Sequence, residues 1–352
     1  MGKVLCVSKD AGDWGVLVPV AKALKAKGVE IFFAVDARSV SAEKRLPGSG
    51  FEGKAFENAS EVLSHLGGGT PPVVLSGMSS LLGRELTTEL RGKSGTWIAG
   101  LPVLPDEYYH LWPTGPDALF VHTDEEATSI NNRWRWGGST RGIKTGYSHL
   151  DSFPAAVAKL DRDEIRKNLG LGPGDKLVWV AMDKKGLGPA LEMILGAFAA
   201  LRMENLVVFP NFHPAAPDDE KRAAEKVIDT CGLRLITDGN LFGAGNEPRF
   251  VAVDGVIGAL LSTMPYQAHA TGCPYIGIAL KGDLEKQAEV IGSERVSDNF
   301  LVTGGHIACA ASQRELEALL PSMLSGKLGL NPLPPLDGKS TERVVQEVLK
   351  HL

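Results

Sequence analysis

Apolar residues near the start of the chain alternate between short continuous runs and a helical spacing. Residues 3–8 (KVLCVS) form such a run, which predicts a short buried strand. A Gly/Asp loop is predicted over 9–15, and residues 16–27 then repeat apolar side chains with helical periodicity until Gly28, a typical helix end. Residues 29–35 (VEIFFAV) supply a second strand. The pattern therefore predicts a βαβ unit with a right-handed crossover.

The same alternation of strands and helices continues in two series. Both contain short apolar runs bounded by turn residues, with helical periodicity between most of them. Two such series favour two doubly wound α/β domains with parallel sheets over one closed barrel. The predicted strands cover 73–78, 96–100, 118–123 and 142–146 in the first series, and 176–183, 206–212, 233–238, 255–260 and 274–280 in the second.

Domain boundaries are predicted where the series of predicted strands is interrupted. Residues 148–162 lack strand character, so we expect Rossmann-like domains over 1–155 and 165–335. A last amphipathic helix is predicted over 340–352, after a Pro-rich linker. Because one face of this helix is apolar, we expect it to pack back on the N-terminal domain.

Composition and charge narrow the class of protein. The 352 residues are 43% hydrophobic and 22% charged, the balance of a soluble globular enzyme. The net charge of −5 argues against a nucleic-acid partner. Four cysteines without CxxC spacing indicate structural thiols of a reducing compartment, and no apolar run is long enough for a membrane span. We therefore expect a cytoplasmic protein, with peripheral membrane contact and oligomeric state left open.

Four segments carry recognisable motifs: IKTGYSHLDSF (143–153), VAMDKKGLG (180–188), VVFPNFHP (207–214) and GVIGALLSTMPYQAHATGCPYIGI (255–278). Together they resemble elements of the GT-B superfamily. The last of them is similar to the Ser/Thr-x₃-Glu-Ala-x₃-Gly-x-Pro element of nucleotide-sugar enzymes, although Gln267 stands where those relatives carry Glu. The relatives are glycosyltransferases, UDP-N-acetylglucosamine 2-epimerases, lipid-A-disaccharide synthases and CDP-glycerol phosphotransferases.

This resemblance implies a GT-B fold, with two Rossmann-like domains facing a central cleft. It places an acceptor on the N-terminal domain and a nucleotide-diphosphate sugar donor on the C-terminal domain. The donor is a substrate, so no separate cofactor is implied. No cluster of His, Cys, Asp or Glu has metal-ligand spacing, and neither a GxGxxG fingerprint nor a Walker loop is present. Metal-independent chemistry is therefore expected.

A donor diphosphate needs positive charge and free backbone N–H groups. Helix N-termini provide both, and glycine lets the backbone approach closely. Gly186 meets this requirement at the start of a predicted helix, and Lys184 and Lys185 add charge beside it. The alternative for this segment is an exposed charged turn.

Four further residues in the C-terminal half are candidate donor contacts. His213 follows a predicted strand, at the sheet edge where α/β proteins bind ligands. Ser262 and Thr263 precede a predicted helix and are candidates either for the diphosphate or for a plain N-cap. Gln267, one turn into that helix, is a candidate for the donor ribose or a helix-surface residue.

Two residues of the N-terminal half are candidates for the general base. Asp13, in the predicted first βα loop, is placed to take a proton from an acceptor hydroxyl, or simply caps the following helix. His110 is the second candidate, within the aromatic stretch DEYYHLW. Tyr109 and Trp112 beside it are suited to stacking on a sugar ring or to a packed aromatic cluster.

Three functions remain open from the sequence. The first is a glycosyltransferase that moves a sugar from a nucleotide donor to an unknown hydroxyl acceptor. The second is another enzyme on the same fold, a nucleotide-sugar 2-epimerase or a polyol-phosphate transferase. The third is a GT-B-like binding protein whose catalytic loop has decayed, an alternative that the amide at Gln267 keeps open.

Overall fold

The chain forms two compact units in a computed structural model. One unit contains Met1–Ser152 together with Leu336–Leu352, and the other contains Phe153–Pro335. Each unit has its own sheet and its own hydrophobic core. The structure describes residues 2–39, 44–133, 136, 138–182, 186–213, 216–237, 239–242 and 245–352.

A parallel sheet of seven described strands forms the centre of the first unit. The strand order is β3-β2-β1-β4-β5-β6-β7. Because the order reverses direction between β1 and β4, this pair marks the topological switch point, where open α/β sheets bind ligands. The strands are β1 (Lys3–Ser8), β2 (Glu30–Asp36), β3 (Glu52–Phe56), β4 (Val73–Gly77), β5 (Trp97–Leu101), β6 (Ala118–Val121) and β7 (Arg141–Lys144).

Helices pack on this sheet and bury its hydrophobic core. Helix α1 buries Leu17, Val20 and Leu24 against the strands, and no part of these side chains is exposed. Burial of such side chains contributes most of the favourable free energy of packing, roughly 1.5–3 kcal/mol per fully buried aliphatic side chain. The described helices of this unit are α1 (Ala11–Ala26), α2 (Ala59–His65), α3 (Leu81–Leu90), α4 (Asp124–Arg133) and the C-terminal helix (Ser340–Val348).

The C-terminal helix completes the core of the first unit. Its Val344 and Val348 belong to the same buried cluster as the residues of α1. Asp151, from the IKTGYSHLDSF segment, caps the helix by accepting from the backbone N–H of Ser340 (2.9 Å) and of Thr341 (2.6 Å). The chain therefore leaves this unit after Ser152 and returns to it at Leu336.

The second unit contains a parallel sheet of six described strands. Its order, β10-β9-β8-β11-β12-β13, is that of a dinucleotide-binding Rossmann sheet. The switch point lies between β8 and β11. The strands are β8 (Lys176–Ala181), β9 (Leu206–Asn211), β10 (Arg234–Leu235), β11 (Gly255–Ala259), β12 (Tyr275–Ile278) and β13 (Ala308–Ala310).

Helices of the second unit pack on both faces of this sheet. Ile194 and Phe198 of α7 and Leu320 of α13 fill one face together with side chains of the strands. The described helices are α5 (Phe153–Val157), α6 (Arg162–Asn168), α7 (Leu187–Leu201), α8 (Asp218–Thr230), α9 (Glu247–Ala252), α10 (Met264–Ala270), α11 (Lys281–Ile291), α12 (Phe300–Thr303) and α13 (Gln313–Leu324). Short 3-10 helices cover Tyr109–Leu111, Ser148–Leu150, Gly239–Phe242, Val296–Asp298 and Leu349–His351.

The structure corrects three local predictions. Helix α1 begins at Ala11, inside the loop predicted over 9–15, because Asp10 caps it earlier than the apolar periodicity shows. Strands β3 and β13 were not predicted, since EGKAF and ACA lack a run of large apolar residues. In the segment predicted over 233–238, the described strand β10 covers Arg234–Leu235.

Candidate active site

Polar side chains of the first unit meet at the switch point of its sheet. Strands β1, β4 and β5 are neighbours and parallel, so their carboxyl ends lie side by side. The segments that follow these strands carry Asp10, Asp13, Ser79 and Glu107. We refer to these four residues as the carboxylate cluster.

Asp10 sets the local backbone of the cluster. It is the N-cap of α1, and its Oδ1 accepts from the backbone N–H of Gly12 (2.9 Å) and of Asp13 (3.1 Å). A capped helix start satisfies donors that would otherwise lack an intrahelical partner. Asp13 is thereby placed in the first turn of α1 rather than in a loop, and Asp10, not Asp13, is the capping residue.

Asp13 is completely buried at the centre of the cluster. Its Oδ2 accepts from the backbone N–H of Lys9 (2.9 Å) and from the Ser79 hydroxyl (2.8 Å). Its Oδ1 is also buried and has no hydrogen-bond partner among the described residues. Burial, and next to it the charge of Asp10, raise the pKa of Asp13 to about 7, against the lowering effect of its hydrogen bonds.

Gly77 creates the space that Asp13 occupies. It is the last residue of β4, and a Cβ added there would lie 2.5 Å from the Asp13 Cβ and closer still to its carboxyl group. Side-chain atoms do not approach so closely without a shift of the backbone. A glycine at this position therefore lets a buried carboxyl group pack directly against the sheet.

Glu107 brings a second buried carboxyl group to the cluster. Only 7% of the residue is exposed, and its Oε2 accepts from the backbone N–H of Val103 (2.6 Å). Burial first, and the charge of Asp13 second, raise the pKa of Glu107 to about 8. Two acidic groups whose pKa values lie near neutrality are suited to exchange protons with a substrate.

The backbone around Glu107 is strained. Asp106 (φ 59°) and Tyr108 (φ 56°), on either side of it, both adopt the left-handed conformation that non-glycine residues avoid. Such conformations cost of the order of 1–3 kcal/mol each and persist where the surrounding structure holds them. Their position on both sides of a buried glutamate is typical of a functional segment.

His110 lies three residues beyond Glu107, in a 3-10 helix. Its aromatic neighbours Tyr109 and Trp112 are fully buried: the Tyr109 hydroxyl donates to Glu126 (3.2 Å), and the Trp112 indole N–H donates to the Met78 carbonyl (3.0 Å). These two rings therefore pack inside the unit instead of offering a face to a sugar. Glu107 belongs to the same DEYYHLW segment, where the sequence did not single it out, and the charge of Asp13 raises its pKa.

The candidate phosphate site of the second unit already has an anionic partner. Gly186 (φ 69°) directly precedes α7, the helix that follows β8 in the chain. Its N–H and that of Leu187 donate to the two carboxylate oxygens of Glu220, at 3.1 and 3.0 Å. Phosphate contact with these two amide groups would therefore require Glu220 to move. Lys184 and Lys185 lie outside the described residues.

The other candidate donor contacts share the carboxyl edge of the second sheet. His213 is half-buried just beyond β9, and its carbonyl accepts from the Ala216 N–H (2.9 Å). Ser262 accepts from the Met264 N–H through its hydroxyl (3.1 Å), whereas Thr263 caps α10 without a side-chain hydrogen bond. Gln267 is 8% exposed, so it is a buried residue rather than one on the helix surface.

No group of three or more His, Cys, Asp or Glu side chains in the described part of the chain is arranged to hold a metal ion. Among the helices that the structure describes, none is both long and apolar enough to cross a bilayer.

The cluster also predicts how stability depends on pH. Unfolded Asp and Glu lose their protons near pH 4, whereas folded Asp13 and Glu107 keep theirs up to about pH 7 and 8. Because the folded state then binds more protons than the unfolded state, stability should fall as pH rises from about 4 to about 8. We expect urea unfolding to show a loss of more than about 1 kcal/mol between pH 5 and pH 8.

Neutral variants provide the control for this pH dependence. Asp13→Asn and Glu107→Gln remove one titrating group each, so each variant should lose less stability over the same pH range than the unmodified protein. A pH dependence that both variants retain in full would assign it to other groups.

Solved structures with this architecture are numerous, although no family model and no curated protein matches the chain. An S. aureus MnaA–UDP co-structure is 14% identical with a TM-score of 0.65, over 100% of this chain and 98% of that one. The Neisseria meningitidis UDP-GlcNAc 2-epimerase bound to UDP-GlcNAc is 12% identical (TM-score 0.64, coverage 99% and 100%). Acinetobacter baumannii MurG is 10% identical (TM-score 0.62, coverage 99% and 100%).

These similarities extend over essentially the whole chain and define its fold. The order of strands in both parallel sheets and the match to these structures show that the chain has the GT-B fold, as the sequence motifs indicated. At 10–14% identity, the similarity concerns the fold. The reaction has to be argued from the residues of the site.

Proposed function

We propose that the protein is an enzyme that acts on a nucleotide sugar and transfers protons with the buried carboxyl groups Asp13 and Glu107. The observation that carries this proposal is the pair itself: both groups are buried at a sheet switch point, with pKa values raised to about 7 and 8. Similarity in fold to proteins described with UDP or UDP-GlcNAc supports a UDP-sugar as the substrate class.

Epimerisation is the reaction that two such groups serve best. Inverting C2 of the sugar requires one group to remove the C2 proton, while the remaining electron pair forms a C1=C2 double bond and the C1–O bond to the nucleoside diphosphate breaks. An acid then returns a proton to the opposite face of C2 as the diphosphate adds again to C1. Two buried carboxyl groups whose pKa values are both raised toward neutrality, to about 7 and about 8, can each take up or release a proton near neutral pH. The several UDP-GlcNAc 2-epimerases of similar fold favour this reaction over the transfer that the sequence placed first.

Glycosyl transfer is the second candidate. It requires a single base to deprotonate the acceptor hydroxyl, and Asp13 is able to fill that role in its ionised form. Similarity over nearly the whole chain to MurG and to a glycotransferase of kitacinnamycin supports this alternative. The two reactions differ in what happens to the hydrogen at C2 of the sugar.

An isotope experiment separates the two reactions. The full chain is incubated with UDP-N-acetylglucosamine in D₂O, and proton NMR follows the sugar. Epimerisation predicts a second stereoisomer and deuterium at C2, whereas transfer or hydrolysis predicts UDP release with C2 still protonated. Binding without either change, also with CDP-, GDP- and TDP-sugars, would contradict an enzymatic function and favour the binding protein.

We further propose that the nucleotide binds to the second unit near His213 and Ser262. If these side chains contact the diphosphate, His213→Ala and Ser262→Ala should each weaken nucleotide binding by roughly ten- to a hundredfold in calorimetry, because a hydrogen bond to a charged group contributes about 1.5–3 kcal/mol. The melting temperature should change little. Thr230→Ala, on the exposed end of α8, is the control. Unchanged affinity in both variants would place the nucleotide elsewhere.

A further inference from the structure

The Ser79 hydroxyl lies between two carboxylates of the cluster. Its Oγ is 2.8 Å from Asp13 Oδ2 and 3.0 Å from Asp10 Oδ2, and the residue is 2% exposed. A serine hydroxyl has one hydrogen to donate and accepts through its lone pairs. With both carboxylates ionised, only one of these two contacts can contain a hydrogen at any moment.

The geometry is fully satisfied in one protonation state. If Asp13 carries a proton on Oδ2, that proton is donated to Ser79 Oγ while the Ser79 hydrogen is donated to Asp10 Oδ2. Both short contacts are then hydrogen bonds, and in each of them the hydrogen is donated toward Asp10. Two backbone N–H groups at the start of α1 donate to Asp10 Oδ1 and fix its side chain. The acceptor of the Ser79 hydrogen is therefore held in place.

We propose that Ser79 relays protons between Asp13 and Asp10, and so connects the buried carboxyl group to solvent. The proposal rests on the acid–base function proposed above for Asp13. In the outward direction, the O–H bond of Asp13 breaks and its proton binds Ser79 Oγ. The original Ser79 O–H bond breaks, and that proton binds Asp10 Oδ2. No net charge is created, because Asp13 becomes ionised as Asp10 becomes neutral, and Asp10 then exchanges with water.

Asp13 has no direct contact with solvent, so a proton passes between its carboxyl group and solvent through a hydrogen-bond partner. Gly77 packs against its carboxyl group, and its Oδ1 is buried. The other contact of Oδ2 is the backbone N–H of Lys9, which does not exchange protons with a carboxylate, while the Lys9 ammonium lies over the Tyr108 ring (5.9 Å). The charge of Asp10, on the loop before α1, raises the pKa of Asp13, and the charge of Asp13 raises that of Glu107, on the segment after β5. Asp10 is the partly exposed residue of the three.

The first test reads the hydrogen bond directly and does not depend on turnover. Carbon-13 NMR of labelled aspartate follows the titration of Asp13 in the whole protein, with Asp13→Asn used to assign its signal. Ser79→Ala should shift the pKa of Asp13, because it removes the side-chain hydroxyl that contacts Asp13 Oδ2. Ser79→Thr, which keeps the hydroxyl, should restore the original titration. An unchanged titration in Ser79→Ala would overturn the proposal.

The second test compares exchange of the substrate hydrogen with solvent. Ser79→Ala and Asp10→Asn should each slow deuterium incorporation by about tenfold or more at the pH optimum of that variant. The double variant should be no slower than either single variant, because both substitutions interrupt the same proton path. Ser76→Ala removes a neighbouring buried hydroxyl that donates to the Gly77 carbonyl, and it should leave the rate unchanged.

The pKa of Asp13 distinguishes a relay from an indirect effect. Loss of the Asp10 charge should lower this pKa, and loss of the Ser79 hydroxyl should shift it. If the variants acted only through that pKa, their pH profiles would move with it and their optimal rates would recover, which would refute the relay. A protein that shows the Ser79-dependent titration but turns over no nucleotide sugar would refute the proposed function and leave the proton connection between the two aspartates standing.

Discussion

Replacing Asp13 by Asn is expected to lower turnover of a nucleotide sugar by about 10²–10⁴-fold, the usual contribution of general acid–base catalysis. An amide keeps the shape of the side chain and an oxygen that accepts from Lys9 and Ser79, but it neither takes up nor releases a proton in this range. Nucleotide affinity should be unchanged. Steady-state kinetics and calorimetry on the same preparation measure both quantities.

The matched comparison for this variant is His110→Asn. His110 was the second candidate for the base, and it lies on the segment that follows Glu107. If Asp13 is the proton-transfer group, the His110 variant should retain turnover within a few-fold. A large loss in His110→Asn, combined with normal turnover in Asp13→Asn, would move the chemistry to His110.

Gly77→Ala is expected to damage both stability and turnover. The added Cβ would lie 2.5 Å from the Asp13 Cβ, so β4 and the first turn of α1 would have to move apart. Overpacking of this kind costs typically about 1–3 kcal/mol. We expect thermal unfolding at a lower temperature, together with reduced turnover per folded molecule, because the displaced carboxyl group loses its alignment with Ser79.

Gly69→Ala is the control for this substitution. Gly69 lies in the same unit, and its added Cβ would meet the Leu66 carbonyl oxygen at an ordinary 3.6 Å. Its stability should therefore change by less than about 1 kcal/mol. Wild-type stability and turnover in Gly77→Ala would show that Asp13 does not need the space that this glycine leaves.

Much of the fold was predictable because its signals are local. Continuous apolar runs predicted β1, β4 and β11, and helical periodicity predicted α1 and the C-terminal helix, since burial repeats with the geometry of each element. The alternation of these elements also predicted two parallel sheets, and the motifs predicted the GT-B fold. The start of α1 was predicted too late, because the capping bonds of Asp10 depend on side-chain geometry.

The candidate site was predictable only in part. Asp13 was identified from its place after the first strand, a position that the chain order alone defines. Glu107 was passed over because it lies far from Asp13 in sequence. The two meet through the order of β1, β4 and β5 in the sheet, and that order results from long-range strand pairing.

The sequence by itself determined the class of fold and the residue types available for acid–base chemistry. Tertiary structure decided which of them form a site. An aspartate has the same intrinsic pKa wherever it occurs, and burial beside a second acid raises the pKa of Asp13 to about 7. Likewise, nothing local to Ser79 distinguishes it from Ser80. Only the packing of β4 beside β1 places the Ser79 hydroxyl between Asp10 and Asp13, because a hydrogen bond requires contact in space and not proximity in sequence.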